Sequence, residues 1–334
     1  MQYGLLLWPH ANSRYQTAVR QLSQNELNLL LDIAGIQSEP RYVSITGADF
    51  LCFDAPELDA RQLAVLSRHA SAYLLCAING GTLTPLIARV APYLNEDLSG
   101  ILKYKGKTNE AFTRLMINFA LAASDFGDKF DGHLALLDPM CGRGTTLFEA
   151  INRGYDACGV DADGREVQEG WKFFRKYLEY HKLKHDIREV SLTLPGKKSA
   201  RMQSVAFAPD VARFRAGDTR TLSFLTQDAQ LATRALGAAR FHLAVCDLPY
   251  GVQHGTGSEE PFEALLARVL PDIRRALKPG GAICLSFNTY TLPAQRVRAL
   301  LDESGFTVMT GGPYENLAHW VEQAIVRDLA VARA

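Results

Sequence analysis

The chain has 334 residues, 47% of them apolar and 22% charged, with a formal net charge of zero. That length can form two compact domains, and this apolar share supplies a buried core, so wholesale disorder is excluded. A neutral chain lacks a uniformly basic coat, so any contact with nucleic acid must come from a local patch.

The six cysteines are scattered through the chain, and no two of them form a Cys-x-x-Cys pair. This spacing argues against a zinc site and against a disulfide framework, and it predicts a protein of the reducing cytoplasm that holds no metal. No stretch approaches the ~20 apolar residues of a membrane span, so no membrane contact is expected.

Residues 1–95 predict a small α+β domain. Apolar alternation and turn residues give the order strand, helix, strand, strand, helix, strand, which is the ferredoxin-like pattern. The predicted strands are 3–8, 41–45, 50–53 and 72–78, and the predicted helices are 25–33 and 60–68. A further helix is expected after Gly81, followed by a linker at 95–100.

Residues 101–334 predict a second, larger domain with a doubly wound, mostly parallel sheet of seven strands, because apolar strands alternate with longer helices. The predicted strands are 134–137, 157–160, 213–216, 243–246, 282–287, 307–310 and 320–326. The predicted helices between them include 145–153, 164–180, 262–277 and 294–303. The last two strands are joined by a short turn and should form an antiparallel hairpin at the sheet edge.

The segment from Asp138 to Thr145 (Asp-Pro-Met-Cys-Gly-Arg-Gly-Thr) joins the first strand of this sheet to a helix. Gly142 and Gly144 permit a tight turn and let a ligand approach the backbone closely. An ordinary strand–helix turn also uses glycine, and the segment lacks the third glycine of the dinucleotide fingerprint. By itself, this glycine loop indicates a candidate ligand site without naming the ligand.

Two further aspartates follow predicted strands. Asp161 closes the strand at 157–160, where a carboxylate can accept both hydroxyls of a ribose. Asp218 closes the strand at 213–216, where it can receive an adenine amino group. Ligands of open α/β sheets bind at the carboxyl ends of parallel strands, so these positions and the glycine loop together predict a nucleotide-like ligand at one edge.

Asp247-Leu248-Pro249-Tyr250 follows the strand at 243–246 and resembles the (Asp/Asn)-Pro-Pro-(Tyr/Phe) motif of S-adenosylmethionine (SAM)-dependent amino-methyltransferases. The lone pair of an exocyclic amine is delocalised into the base, so the nitrogen must pyramidalise before it attacks a methyl group. The Asp247 carboxylate and the Leu248 carbonyl can accept its two N–H bonds, Pro249 stiffens the turn, and Tyr250 offers a ring for stacking. Leucine replaces the first proline of the motif, which bears on loop rigidity because the carbonyl is retained.

These motifs together resemble the THUMP-associated class of RNA guanine-N2 methyltransferases over about residues 101–328. The resemblance implies a class I SAM-dependent methyltransferase fold with SAM as cofactor. It includes an upstream segment, Tyr-Lys-Gly-Lys-Thr-Asn at 104–109, whose last two residues it places near the methionine end of SAM. The cofactor-binding residues that it implies are Thr108, Asn109, Asp138, Pro139, Cys141, Gly142, Gly144, Thr145, Asp161, Ala162, Asp218, Thr219 and Asp247.

The resemblance does not extend to the domain that grips tRNA. Members often carry a ferredoxin-like domain and then a THUMP domain, but the ~20 residues between Ile78 and Gly100 cannot hold a THUMP domain. A basic insertion at about 181–213 is the alternative RNA contact, although an ordinary charged surface loop explains it equally well. The predicted substrate contacts are Tyr250, His254, Lys182, Lys184 and Arg188.

Several other functions remain open. DNA amino-methyltransferases and enzymes acting on protein glutamine use the same four-residue motif, but a DNA enzyme usually needs a recognition domain to support base flipping. A non-catalytic RNA-binding protein on a methyltransferase fold is an alternative of another class. A nicotinamide dehydrogenase would need the missing glycine. The first expectation is methylation of guanine N2 in tRNA or rRNA, with the oligomeric state left open.

Overall fold

The computed structural model describes residues 1–8, 17–86, 91–95, 97–194, 196, 199–249 and 262–334. Two predicted substrate contacts, Tyr250 and His254, lie outside these residues. Among the helices in the described part of the chain, none is both long enough and apolar enough to cross a membrane.

The N-terminal part forms a five-stranded antiparallel sheet in the order β2-β3-β1-β4-β5. Its elements are β1 (Gln2–Leu7), α1 (Arg20–Ile33), β2 (Arg41–Ile45), β3 (Ala48–Asp54), α2 (Ala60–Leu66), β4 (Ala72–Asn79) and β5 (Thr82–Leu86). Strand β1 lies between β3 and β4, as the ferredoxin-like pattern requires.

The prediction of a helix after Gly81 is wrong for Thr82–Leu86, because this segment forms the strand β5, which pairs with β4. Gly80 and Gly81 have φ angles of 55° and 86°, so they form a two-residue hairpin turn that glycine adopts easily. This turn returns the chain along β4 instead of starting a helix.

The second sheet has the order β13-β15-β12-β11-β6-β7-β10-β9-β8, with β14 also paired to β15. Its strands are β6 (Ala135–Asp138), β7 (Asp156–Asp161), β8 (His185–Thr193), β9 (Ser199–Phe207), β10 (Arg220–Thr226), β11 (Phe241–Asp247), β12 (Leu277–Asn288), β13 (Thr307–Val308), β14 (His319–Glu322) and β15 (Ile325–Arg333). The helices that accompany it are α3 (Leu98–Ile101), α4 (Glu110–Ala123), α5 (Thr145–Asn152), α6 (Gly164–Tyr180), α7 (Val211–Arg215), α8 (Ala229–Leu236), α9 (Phe262–Ala276) and α10 (Ala294–Glu303).

The five central strands β10, β7, β6, β11 and β12 are parallel, and β15 is antiparallel to β12. This is the doubly wound sheet that the sequence predicts, with crossover helices between its parallel strands. The described sheet has ten strands instead of seven, because β8 and β9 extend it beyond β10 and because 319–333 divides into β14 and β15.

Helix α4 lies between the two sheets. It packs on β11, β12 and β15 on one side and on α1 of the N-terminal part on the other. A single buried apolar cluster contains Leu22 and Leu27 of α1 together with Met116 and Phe119 of α4. The two predicted domains therefore share one continuous core.

The C-terminal strands are antiparallel, as predicted, but the segments that pair with one another differ from those of the predicted hairpin. Thr307–Val308 pairs antiparallel with the far end of β15, with Thr307 opposite Arg333. The hairpin itself is formed by β14 and β15. Strand β15 is longer than predicted because its residues 327–332 are buried between β12 and the edge strands.

Candidate functional site

The glycine loop leaves β6 at Asp138 and enters α5 after Gly144. Both of its glycines are left-handed, with φ of 50° at Gly142 and 92° at Gly144. The Cys141 amide donates to the Val160 carbonyl at 2.8 Å, which fixes the loop to the end of β7. Among the described residues, no atom lies within 4 Å of the position that a Cβ would take on Gly142, so this part of the chain leaves the backbone open to a ligand.

The loop is held between β7 and α6 by contacts that need glycine. A Cβ on Gly159 would lie 2.4 Å from Leu147 Cδ1 and 2.6 Å from Cys141 Sγ. A Cβ on Gly170, in α6, would lie 2.4 Å from the Arg143 carbonyl oxygen. These distances are far below van der Waals contact, so neither position accepts a side chain without movement of the loop.

Asp161 stands at the end of β7, as predicted. Its Oδ2 accepts the Gly142 amide and its Oδ1 accepts the Asp163 amide, both at 2.8 Å. Burial raises the pKa of Asp161, and these two amides oppose the rise. Each oxygen retains a second acceptor position, so the carboxylate can also receive ribose hydroxyls. Asp161 thus shapes the glycine loop and faces the same edge; Ala162, the next residue, is exposed there.

Asp138 is the most buried carboxylate of this edge, with 2% of its surface exposed. Its Oδ1 accepts the Met140 amide at 3.1 Å. Burial raises the pKa of Asp138 to about 7, and the negative charges of Asp161 and Asp247 add to the rise. The structure therefore brings the three carboxylates that follow β6, β7 and β11 into one region.

The structure does not bring Asp218 and Thr219 to this site. The residues predicted as the strand at 213–216 belong to α7, which begins after Asp210 caps it. The third parallel strand is β10, which pairs with β7 from Leu222 opposite Ala157 to Thr226 opposite Asp161. Asp218 and Thr219 precede β10 and stand at the amino edge of the sheet, so their predicted cofactor role is wrong.

The residues that do follow the third strand are Gln227 and Asp228, which the sequence analysis missed. The Gln227 amide donates to the Asp161 carbonyl at 2.9 Å, so this turn lies beside Asp161. Asp228 caps α8 by accepting the amides of Gln230 and Leu231. The signal that could have found them is the alternation of polar and apolar residues at 221–225, with a capping aspartate three residues later.

Asp247 ends β11 and its neighbour Leu248 is fixed by the adjacent strand. The Leu248 amide donates to the Ser286 carbonyl at 2.9 Å, and its side chain is 2% exposed in the core. A proline at this position has no N–H and cannot make that bond. Leucine at position 248 therefore gives the loop a hydrogen bond where a proline would give it a rigid ring. The next residue, Pro249, is half-buried.

The upstream segment packs over the glycine loop. The Tyr104 hydroxyl lies 3.1 Å from Thr145 Oγ1, and the Arg143 guanidinium stands 4.7 Å from the centre of the Tyr104 ring. Four residues later, the Thr108 hydroxyl donates to Asp247 Oδ2. The upstream segment thus contacts both the glycine loop, through Tyr104, and Asp247, through Thr108; the placement of Thr108 near the methionine end of SAM stays a prediction.

Asn109, the residue after Thr108, is exposed and caps α4 by accepting the Phe112 amide at 3.2 Å. The three predicted basic contacts lie elsewhere. Lys182 and Lys184 precede β8, whose first residues run beside the amino end of β10. They are therefore about 20 Å from the carboxyl edge, at 3.3 Å per residue of strand. Arg188 lies in the middle of β8.

The residues of the carboxyl edge fit SAM, which joins an adenosine to a positively charged sulfonium. Carboxylates at Asp138 and Asp161 favour a cationic ligand, and the left-handed backbone at Gly142 is open to it. The first amides of α5 point toward the same loop. The edge thus provides both the charge and the space that this cofactor needs.

One family model and several solved structures match this chain. The family model described as "UPF0020: RMKL-like, methyltransferase domain" matches residues 128–311. No curated protein matches the chain. Solved structures that it is similar to include TrmN from Thermus thermophilus, with 15% identity over 89% of this chain and 59% of that chain and a TM-score of 0.39.

Two further similar structures carry methyltransferase names. One is magnesium protoporphyrin IX methyltransferase from Synechocystis with bound SAH, at 14% identity, 69% and 89% coverage and a TM-score of 0.39. The other is a TehB-like SAM-dependent methyltransferase from Corynebacterium glutamicum, at 15% identity, 60% and 79% coverage and a TM-score of 0.36.

The family match spans more than half of the chain and contains the glycine loop, Asp161 and Asp247. The order of parallel strands and the cationic-ligand edge described above are those that such a domain requires. The chain belongs to the RMKL-like methyltransferase domain family, and it is a class I methyltransferase that uses S-adenosylmethionine as its methyl donor.

Proposed function

We propose that the chain methylates an exocyclic amino nitrogen of an RNA base, with N2 of guanine in tRNA or rRNA as the first choice. The observation that carries this proposal is the placement of Asp247 and Leu248 at the end of β11, beside the glycine loop and in contact with Thr108. A carboxylate and a main-chain carbonyl one residue apart are the two acceptors that an amino group needs.

The proposed mechanism uses positioning and hydrogen bonding. When bound, SAM supplies an electrophilic methyl group on its sulfonium. Asp247 and the Leu248 carbonyl accept the two N–H bonds of the target amine, which directs the nitrogen lone pair at that methyl group. Transfer would break the bond between the methyl group and sulfur and form one to the nitrogen, and the methylated nitrogen would then release one proton to solvent. The Leu248–Ser286 hydrogen bond fixes the peptide unit between Asp247 and Leu248, which carries both acceptors on its two sides.

Positive charge on both edges of the sheet supports an RNA substrate. Lys103 and Lys105 are exposed in the upstream segment, close to Thr108. Lys182, Lys184 and Arg188 are exposed on the β8 side, where they would meet phosphates distant from the target base. Such contacts release counterions, so binding should weaken steeply as salt is added.

The test is transfer of a tritiated methyl group from SAM to RNA, DNA and protein fractions from cells that lack this chain. Asp247→Ala should lower transfer to RNA roughly a hundredfold to a thousandfold, because the amine loses a charged acceptor. SAM binding, measured by calorimetry, should change less than about threefold, since the carboxylate acts on the substrate. Nucleoside mass spectrometry should then show N2-methylguanosine in the labelled RNA.

Asp218→Ala is the matched control, because it removes a carboxylate at the opposite edge of the same sheet. It should leave transfer unchanged. If the tritium label appears in DNA or in protein glutamine, that macromolecule is the substrate class instead of RNA. Equal losses of SAM binding and of transfer in Asp247→Ala would show that Asp247 belongs to the cofactor site and would overturn the proposed mechanism.

A further inference from the structure

One oxygen of Asp247 is engaged from two sides. The Thr108 hydroxyl donates to Oδ2, and the Arg327 Nη2 atom lies 3.8 Å from the same oxygen. The Asp247 side chain is 13% exposed and that of Arg327 is 7% exposed, so this ion pair is shielded from solvent. Shielding strengthens the attraction of the pair and also makes loss of either partner costly.

The protein places Arg327 at this position by several contacts. It lies in β15 opposite Asn288 of β12 and His319 of β14. The backbone beside it is fixed because the Thr289 amide donates to the Val326 carbonyl at 2.8 Å. The Arg327 guanidinium carbon also stands 4.3 Å from the centre of the Phe112 ring. A buried cation stacked on an aromatic face has little freedom to move.

The neighbouring histidine adds no second cation. His319 packs on Phe112 with ring centres 5.2 Å apart. Burial lowers the pKa of His319 to about 4, and the positive charge of Arg327 contributes to that fall. The imidazole is therefore neutral at physiological pH, and Arg327 supplies the permanent charge of this cluster.

A fixed cation is needed here for an electrostatic reason. Asp138, Asp161 and Asp247 share one edge, and the charges of the last two raise the pKa of Asp138. Arg327 offsets part of this negative charge and attracts Oδ2 of Asp247.

We propose that Arg327 is a positioning residue for methyl transfer, which together with Thr108 holds Asp247 Oδ2 and so orients the carboxylate that accepts the substrate N–H. This inference rests on the proposed amine transfer at Asp247. Arg327 touches neither the methyl group nor the amine; it sets the orientation of the carboxylate that does.

The experiment compares Arg327→Gln and Arg327→Lys with Arg333→Gln, all in the full chain. Arg333 is the matched control because it lies at the other end of β15, where it pairs with Asp125. With bulk RNA as the methyl acceptor, Arg327→Gln should lower kcat roughly tenfold to a hundredfold through misorientation of Asp247. The KM for RNA and the SAM dissociation constant should change less than about threefold. Arg327→Lys should recover part of kcat, and Arg333→Gln should match the unmodified chain.

Chemical rescue separates charge from packing. In Arg327→Ala, added ethylguanidinium should restore part of kcat, while ethylurea, which is similar in shape and neutral, should not. Equal kcat in Arg327→Gln and Arg333→Gln would overturn the inference. So would loss of SAM binding in both Arg327→Gln and Arg327→Lys, because Arg327 would then support the cofactor site or the fold.

The outcomes keep the two proposals distinct. If the unmodified chain labels DNA or protein instead of RNA, the substrate proposal fails, and the same comparison is made with the labelled fraction. If it labels RNA and the Arg327 variants behave as the control does, the proposed function stands and the inference about Arg327 fails. Absence of label in every fraction overturns both.

Discussion

Asp138 shows how one residue couples burial to cofactor binding. It follows β6 as the first residue of the glycine loop segment, and burial raises its pKa from 3.8 to about 7. A carboxyl group with this pKa is largely protonated in the folded protein below neutral pH. Its ionisation therefore depends on whether a cation arrives at the site.

The first residue-scale prediction concerns stability and pH in the protein without SAM. Between about pH 4 and pH 7, the folded state keeps a proton on Asp138 that the unfolded state has released. This group's contribution to the free energy of unfolding therefore falls as pH rises through that window. The loss is on the order of 4 kcal/mol for a rise of about three pKa units. Asp138→Asn, a neutral isostere, should raise the melting temperature relative to the unmodified chain at pH 8 and leave it similar at pH 5.

The same substitution affects SAM binding in the opposite direction. SAM brings positive charge, so its binding favours the ionised carboxylate. Affinity measured by calorimetry should rise with pH up to about 7 in the unmodified chain and should lose this dependence in Asp138→Asn. A stability difference between the two proteins that is equal at pH 5 and pH 8 would contradict the assignment of a raised pKa to Asp138.

At the scale of elements, the glycine loop depends on the close approach of α6. Gly170 lies inside this helix, where alanine is normally more favourable than glycine by about 1 kcal/mol. Here the added Cβ would meet the backbone of Arg143 at 2.4 Å. Because backbone cannot rotate away as a side chain can, the helix and the loop must separate.

Gly170→Ala should therefore weaken SAM binding roughly tenfold and lower the free energy of unfolding by about 1–3 kcal/mol. The control is Gly100→Ala in α3, where no atom lies within 4 Å of the new Cβ. Calorimetric titration with SAM and thermal unfolding measure the two effects. If Gly170→Ala binds SAM as well as the control does, the loop does not require this contact.

At the scale of the whole molecule, the N-terminal part is joined to the methyltransferase domain by a buried polar cluster. Glu26 of α1 is fully buried and accepts the Ala70 amide at 2.7 Å and the side-chain amide of Asn118, in α4. The His69 Nε2 atom lies 3.3 Å from Glu26 Oε2. These contacts lie against the shared apolar core, so we expect the two parts to unfold together.

Glu26→Ala should cost at least about 3 kcal/mol, because buried donors from both parts lose their acceptor. Scanning calorimetry should show one transition in the unmodified chain and one transition, at lower temperature, in the variant. Glu57→Ala, a substitution at an exposed residue of the same domain, should shift the transition temperature little. Two transitions, of which only one moves in Glu26→Ala, would show that the N-terminal part folds as an independent domain.

The local sequence was sufficient to predict most elements, the glycine loop, and the strand-end positions of Asp161 and Asp247. Helices α6 and α10 have the predicted bounds, and the glycine loop and Asp247 follow their strands as expected. These features depend on periodicity, capping and turn residues within a few positions. The assignment around Asp218 failed because the segment 213–216 (Arg-Phe-Arg-Ala) alternates charged and apolar residues as a strand does, while the glycine and aspartate after it are found at helix ends as well as at strand ends.

The sequence by itself determined the alternation of strands and helices, the glycine loop and the aspartates at strand ends, because each of these is encoded by neighbouring residues. Only the tertiary structure decided which edge Asp218 occupies, that Leu248 replaces a proline with a hydrogen bond, and that Arg327 reaches Asp247 from a strand 80 residues later. The physical reason is that strand order and burial set these contacts, and they join residues that no local pattern links.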